Sequence, residues 1–199
     1  KSVKRTGGID VNIAETDSKI LRKIDVGSWK DAKYKGEKIP FLMDVIKAIP
    51  KGKKLVIEVK CGPEILPYLE KVIRKSGKKG QLEIIAFNLD VVAGSKKIMP
   101  EIPAYWLISA EKDKRTNEPL PYSLINIEKI KAAGLDGIDA HYVGVTREFA
   151  DALHGNGMKL YVWTVDDITD AQKLKDIGVD GITTNKPDVM LEHFQGQND

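Results

Sequence analysis

The sequence lacks the residues needed for disulfides or a cysteine-based metal site. Its 199 residues include one cysteine, Cys61, which follows a predicted strand. A single cysteine forms no internal disulfide, and no zinc motif built from cysteines can be assembled around it. Cys61 is therefore interpreted as a packing or incidental residue.

An excess of charge of one sign is also missing. Lysine and arginine number 32 against 29 aspartate and glutamate residues, which gives a formal net charge of +3. The basic residues are spread along the chain and are not gathered into one dense run with interleaved aromatic residues. We therefore expect no nucleic-acid partner.

Long apolar runs and glycine-rich phosphate loops are absent as well. No uninterrupted apolar run approaches the length of a bilayer-spanning helix, so we expect no stable insertion into a membrane. No predicted strand is followed by a glycine-rich loop of the Walker or dinucleotide-binding type. The oligomeric state and the cellular compartment stay open.

Two opposite charges lie within the strand-like run 55–60. Alternate side chains of a strand face opposite sides, so Glu58 and Lys60 share one face. In parallel α/β proteins, the carboxyl ends of the strands carry the functional loops. A carboxylate there suits a cation and an ammonium suits an anion. A structural ion pair is the alternative interpretation.

From residue 39 onward, strands and helices alternate. Six apolar runs with strand-like patterns are each followed by a helical pattern. Gly77 and Gly157 are the predicted ends of two of these helices, and Pro40 is the predicted start of a helix that precedes the first strand. The predicted strands are 55–60, 82–87, 104–109, 137–141, 159–165 and 181–184. The predicted helices that follow them are 64–76, 90–98, 123–133, 146–156, 168–177 and 187–194.

A weak internal repeat supports this alternation. Residues 134–139 match residues 178–183, and both combine a helix-ending glycine, a turn and a strand start. Six such units fit an open doubly wound sheet, but without a nucleotide-binding loop a (β/α)8 TIM barrel is favoured. Six barrel strands alone would leave two hydrophobic edges, so we expect the first two strands to be absent from this chain.

Several motifs, in their order and spacing, resemble the glycerophosphodiester phosphodiesterase family. Glu58-Val59-Lys60 resembles the Glu-x-Lys of its third barrel strand. Further matching segments are 4–7, 24–29, 36–40, 160–165 and 181–187. The resemblance implies a single α/β barrel domain over residues 1–199, with 1–38 as a small insertion segment and 39–199 as the third to eighth βα units. In the insertion, Trp29 and Tyr34 are expected to pin an ordered loop.

The chain departs from the family where the catalytic histidines belong. The family carries His-Arg on its first strand, Glu-x-Asp on its second and His-Asp shortly before the Arg-Thr segment that residues 4–7 resemble, and none of these three motifs is present. We therefore expect the general acid and base histidines upstream of Lys1 and no catalytic residue within the chain. Residues 1–199 alone are expected to bind metal poorly and not to turn over.

The resemblance assigns roles to four residues at strand ends. Glu58 is the expected metal ligand, for Mg²⁺ or Ca²⁺, and Lys60 is the expected contact to a phosphate oxygen. Trp163, and more weakly Phe87, are expected to form an aromatic wall for the substrate, with core packing as the alternative. Trp106 is assigned to the core.

The histidines that are present receive lesser roles. His141 shares a strand face with Asp139, and contact with a substrate hydroxyl or a structural hydrogen bond is expected rather than catalysis. His154 and His193 are assigned to the surface. Asn185 is interpreted either as a ligand contact or as a helix cap.

The resemblance implies metal-dependent hydrolysis of small glycerophosphodiesters to glycerol 3-phosphate and an alcohol. One alternative is a related barrel phosphodiesterase acting on lysophospholipids or phosphoinositides. A second alternative is a non-catalytic barrel retained for binding. Both Glu58 and Lys60 are retained, which favours the enzyme.

Overall fold

A sheet of six parallel strands organises residues 51–195 of the computed structural model, which describes residues 1–195 of the chain. The strands pair in chain order, each with the next, as predicted from the alternating pattern. Their bounds are β1 Leu55–Glu58, β2 Leu82–Ala86, β3 Ala104–Ile108, β4 Gly137–His141, β5 Lys159–Trp163 and β6 Gly181–Ile182.

Helices follow the strands along the chain, and buried apolar side chains at helical spacing face the sheet in the longer ones. Gly77 ends α4 in the left-handed conformation, as predicted, and the Thr146 hydroxyl caps α7 by accepting from the Phe149 amide. The helices are α1 Lys4–Gly7, α2 Ser18–Leu21, α3 Leu42–Ala48, α4 Leu66–Ser76, α5 Leu89–Ile98, α6 Ile125–Ala132, α7 Arg147–Gly155, α8 Ile168–Ile177 and α9 Pro187–Gln195.

Several predicted element boundaries were wrong, and every strand except β4 ends one or two residues earlier than predicted. Helix α3 was predicted to begin at Pro40 but begins at Leu42. Phe41 stays extended, with its ring under the Arg22 guanidinium group. The first strand ends at Glu58, and Lys60 lies beyond it. One further backbone bond, from the Val59 amide to the Ile85 carbonyl, continues the pairing past the strand end.

The sheet curls. Side chains from β1 through to the residue after β6 line one common cavity. In a flat sheet, five inter-strand steps would separate β1 from β6 by about 24 Å. The alternating inward-facing residues therefore enclose a half-barrel interior.

The amino-terminal end of this interior is filled by charged and aromatic groups. The Lys54 ammonium contacts the buried Glu83 carboxylate at 2.5 Å, and this pairing raises the pKa of Lys54. The rings of Tyr105 and Tyr161 meet edge to face, 4.8 Å apart. In barrel folds this end serves stability, and the opposite end carries function.

Residues Lys1–Pro50 form a compact unit of their own, and residues from Lys51 onward form a second. The first unit has a small core of Val3, Leu21 and Ile24. The assignment of residues 1–199 to one barrel domain stays a prediction.

The loop at 25–37 is held by a carboxylate as well as by an aromatic ring. The Trp29 indole donates a hydrogen bond to the Val26 carbonyl at 2.9 Å, although the residue is 53% exposed. The Asp25 carboxylate accepts four hydrogen bonds, from the amides of Gly27, Ser28 and Gly36 and from the Ser28 hydroxyl. These bonds hold the pKa of Asp25 well below its usual range.

The internal repeat places two equivalent carboxylates that fix strand register. Asp136 accepts a hydrogen bond from the Ala104 amide at 2.8 Å and donates its own amide to the Ala104 carbonyl. Asp180 makes the same pair of bonds with Leu160. Each aspartate thus ties the start of one strand to the strand before it.

We predict that Asp136→Ala lowers the free energy of unfolding by roughly 2 to 3 kcal/mol. The change removes a charge-assisted bond to the Ala104 amide and the Lys96 ion pair. Urea denaturation measures the loss, with Asp151→Ala as the control because its exposed carboxylate has no hydrogen-bond partner in the described structure. Equal stability of the two variants would contradict this role.

Candidate active site

A cavity of about 260 Å³ opens at the carboxyl ends of the strands. It brings together four of the five residues singled out from the sequence, namely Glu58, Lys60, Phe87 and Trp163. The other lining residues are Ile85, Leu107, Asp139, Thr164 and Thr183.

Glu58 and Lys60 form an ion pair at the mouth of this cavity. Glu58 is the last residue of β1, with its side chain 29% exposed, whereas the Lys60 side chain is 55% exposed. The two therefore lie on the same side of the chain, as strand alternation predicted. The pairing does not exclude a ligand role, because both groups also face the open cavity.

Asp139, at the centre of β4, is the group that sequence reasoning undervalued. It is 4% exposed, and its Oδ1 atom has no hydrogen-bond partner in the described structure. Burial, together with the nearby Glu58 carboxylate, raises the pKa of Asp139 to about 7. The signal in the sequence was an aspartate on the inward face of an otherwise apolar strand.

The two residues expected to form an aromatic wall are in contact at this cavity. Phe87 and Trp163 meet edge to face, with ring centroids 5.7 Å apart. The Trp163 indole donates a hydrogen bond to the Asp139 carbonyl at 3.1 Å, which fixes the ring beside the buried carboxyl group. The wall therefore has a defined orientation.

His141 lies behind this wall and does not line the cavity. Its ring packs on Trp163, with centroids 4.9 Å apart. Burial and the charge of Lys112 lower the pKa of His141, which favours its neutral form. Its contact with a substrate hydroxyl stays a prediction.

Two further residues make defined contacts within the structure. The Asn185 side chain and the Thr184 hydroxyl bind the Asp166 carboxylate at 2.9 Å each, so Asn185 links the loops after β5 and β6. Trp106 was predicted to be a core residue, and that prediction was wrong. It is half-buried, donates to the Phe87 carbonyl and lines a neighbouring cavity.

The cavity offers hard oxygen donors to a cation. Glu58 and Asp139 are carboxylates, and the unpartnered Oδ1 atom of Asp139 fits a metal ligand. Within residues 1–195, no three acidic, histidine or cysteine side chains come together as a metal cluster. No helix in the same range has the length and apolar character needed to cross a membrane.

We predict that Asp139 makes stability fall as the pH rises from about 4 to about 7. In the folded protein, the raised pKa favours the protonated carboxyl group. Its contribution to stability is complete below the unfolded pKa of 3.8 and is lost as the pH rises to the folded pKa of about 7. The loss approaches ~4 kcal/mol at 1.36 kcal/mol per pKa unit. Asp139→Asn should flatten this dependence.

The measurement is chemical denaturation between pH 4 and pH 8 in EDTA, which keeps bound cations from masking the effect. Asp151→Asn, on the exposed side of α7, serves as the matched control. If wild type and Asp139→Asn showed the same pH dependence, the interpretation of Asp139 would be wrong.

Comparison with known proteins identifies the family of this chain. The model of the glycerophosphoryl diester phosphodiesterase family matches residues 1–189. A glycerophosphodiester phosphodiesterase of Caldanaerobacter subterraneus is 28% identical over 196 residues, covering 96% of this chain and 76% of that protein. One of Bacillus subtilis is 27% identical over 194 residues, covering 88% of this chain and 64% of that protein.

The fold is shared with solved structures. An Oleispira antarctica phosphodiesterase, in complex with the product sn-glycerol-3-phosphate, superposes with a TM-score of 0.85 at 23% identity. The match covers 96% of this chain and 76% of the other. With the family model matching nearly its whole length, this chain belongs to the glycerophosphoryl diester phosphodiesterase family.

Proposed function

We propose that the protein catalyses metal-dependent hydrolysis of glycerophosphodiesters to glycerol 3-phosphate and an alcohol. The observation that carries the proposal is the composition of one cavity. It places two carboxylates, one of them buried with an unpartnered oxygen, beside a lysine ammonium. Such a site binds a cation and a phosphate together. Relatives named as glycerophosphodiester phosphodiesterases support the substrate class.

Glu58 and Asp139 would hold the cation, Mg²⁺ or Ca²⁺. Both present carboxylate oxygens, which these hard ions prefer. The cation, when bound, would neutralise charge on the phosphodiester and polarise its phosphorus–oxygen bonds. Bound positive charge would also favour the ionised form of Asp139, against the effect of burial.

Lys60 binds a non-bridging phosphate oxygen in this proposal. Its ammonium pairs with Glu58 in the structure and is more than half exposed. When Glu58 turns to a cation, the ammonium can turn to the phosphate. The ion pair thus keeps both groups in place until substrate arrives, and Lys60 then stabilises the charge that develops in the transition state.

Phe87 and Trp163 would cover the carbon atoms of the glycerol moiety. Their rings form a fixed wall on the cavity that also contains the charged groups. Apolar covering excludes water around the phosphate and strengthens the interaction of the phosphate with Lys60.

No histidine of the described residues lines the cavity, so none of them is in place to transfer a proton there. The three histidines, at 141, 154 and 193, are all described, and none lines it. This supports the inference that residues 1–199 on their own do not turn over. Hydrolysis by residues 1–199 alone, abolished by Glu58→Ala, would contradict this inference.

We further propose that the six strands are part of a closed (β/α)8 barrel. Within the described residues, β1 and β6 do not pair with each other, so each leaves one edge free. The closeness of the fold to the Oleispira antarctica structure supports this closure.

We predict that Glu58→Gln and Lys60→Met each lower kcat/KM by about 10² to 10³, since each removes a charge that stabilises the transition state. The assay follows release of sn-glycerol 3-phosphate by the protein expressed from its complete gene, with Mg²⁺ or Ca²⁺. Glu148→Gln and Lys71→Met are matched controls at exposed helical positions. Hydrolysis unchanged in Glu58→Gln, or insensitive to EDTA, would contradict the proposal.

A further inference from the structure

A second cavity adjoins the candidate site and has no role in the account so far. Its volume is about 420 Å³, and it lies between the end of β3, the loop that follows and the start of α6. Phe87 and Leu107 line both cavities, so the two are neighbours across these side chains. A group attached to a phosphate in the first cavity lies within reach of the second.

Three of the polar side chains that line the second cavity lack partners; two of them, Ser109 and Glu111, are exposed, and Asn126 is half-buried. The side chains of Ser109, Glu111 and Asn126 make no hydrogen bond or ion pair within the described structure. Together they offer a hydroxyl, a carboxylate and an amide, which can both donate and accept. This is the chemistry that binds hydroxyl groups.

The cavity is poorly suited to a cationic ligand, although it contains aromatic rings. The Lys129 ammonium lies 5.6 Å from the centroid of the Trp106 ring and already occupies a cation–π position. The Lys129 charge also offsets that of Glu111, the one carboxylate in the lining. A quaternary ammonium group would meet a repelling lysine at the indole ring.

We propose that this second cavity binds the leaving alcohol of the substrate and selects an uncharged polyhydroxy alcohol over a cationic amino alcohol. The inference rests on the proposed function for the phosphate site. It adds that Ser109, Glu111 and Asn126 bind hydroxyl groups of the alcohol, while Lys129 excludes cations. Phe87 separates the phosphate from the alcohol.

The test compares two glycerophosphodiesters, one of myo-inositol and one of choline, with the protein expressed from its complete gene. We expect a higher kcat/KM for the inositol diester. Asn126→Ala should lower that value about tenfold and leave the choline diester nearly unchanged. Lys129→Met should raise kcat/KM for the choline diester. Lys131→Met, on the same helix but outside the lining, is the control.

A binding experiment separates this inference from the proposed function. Ligand-detected NMR with free myo-inositol and free choline needs no turnover. If neither diester is hydrolysed, the proposed function fails, but myo-inositol binding that Asn126→Ala removes still supports the cavity. Equal kcat/KM for both diesters overturns the inference. The inference is also overturned if Asn126→Ala and Lys129→Met change kcat/KM no more than the control Lys131→Met does.

Discussion

The burial of the Asp139 carboxyl group is the constraint on which the rest of the site depends. A carboxyl group taken out of water without a hydrogen-bond partner for one oxygen is costly, and ionising it there costs more. Glu58 in the same cavity adds to that cost. A bound cation would relieve both effects at once, which is why we propose these two residues as its ligands.

Strand register determines whether this carboxyl group faces inward. A slip of one residue would turn Asp139 to the outer face of the sheet. The Asp136 carboxylate prevents this by fixing the start of β4 against Ala104 on β3. Asp180 fixes β6 against Leu160 on β5 in the same way. The repeated aspartates at the amino end of the sheet therefore position the chemistry at its carboxyl end.

The sequence predicted the order of elements and the starts of the strands well, because glycines, prolines and alternating apolar residues are local signals. It also placed Glu58 and Lys60 on one side of the chain. It did not reveal how close Asp139 lies to Glu58, because these residues are on strands three apart and meet only through the curl of the sheet. The position of Trp106 at a cavity was missed because the loop after β3 and helix α6 form that cavity, and no local signal in the sequence shows where they pack.

The most direct test of the account is a crystal structure of the protein grown with Mn²⁺ and sn-glycerol 3-phosphate, with anomalous diffraction used to locate the metal. We predict an anomalous peak within coordinating distance of the carboxylates of Glu58 and Asp139, with a phosphate oxygen on the Lys60 ammonium. A peak whose ligands exclude both carboxylates, or no peak in this cavity, would contradict the central claim.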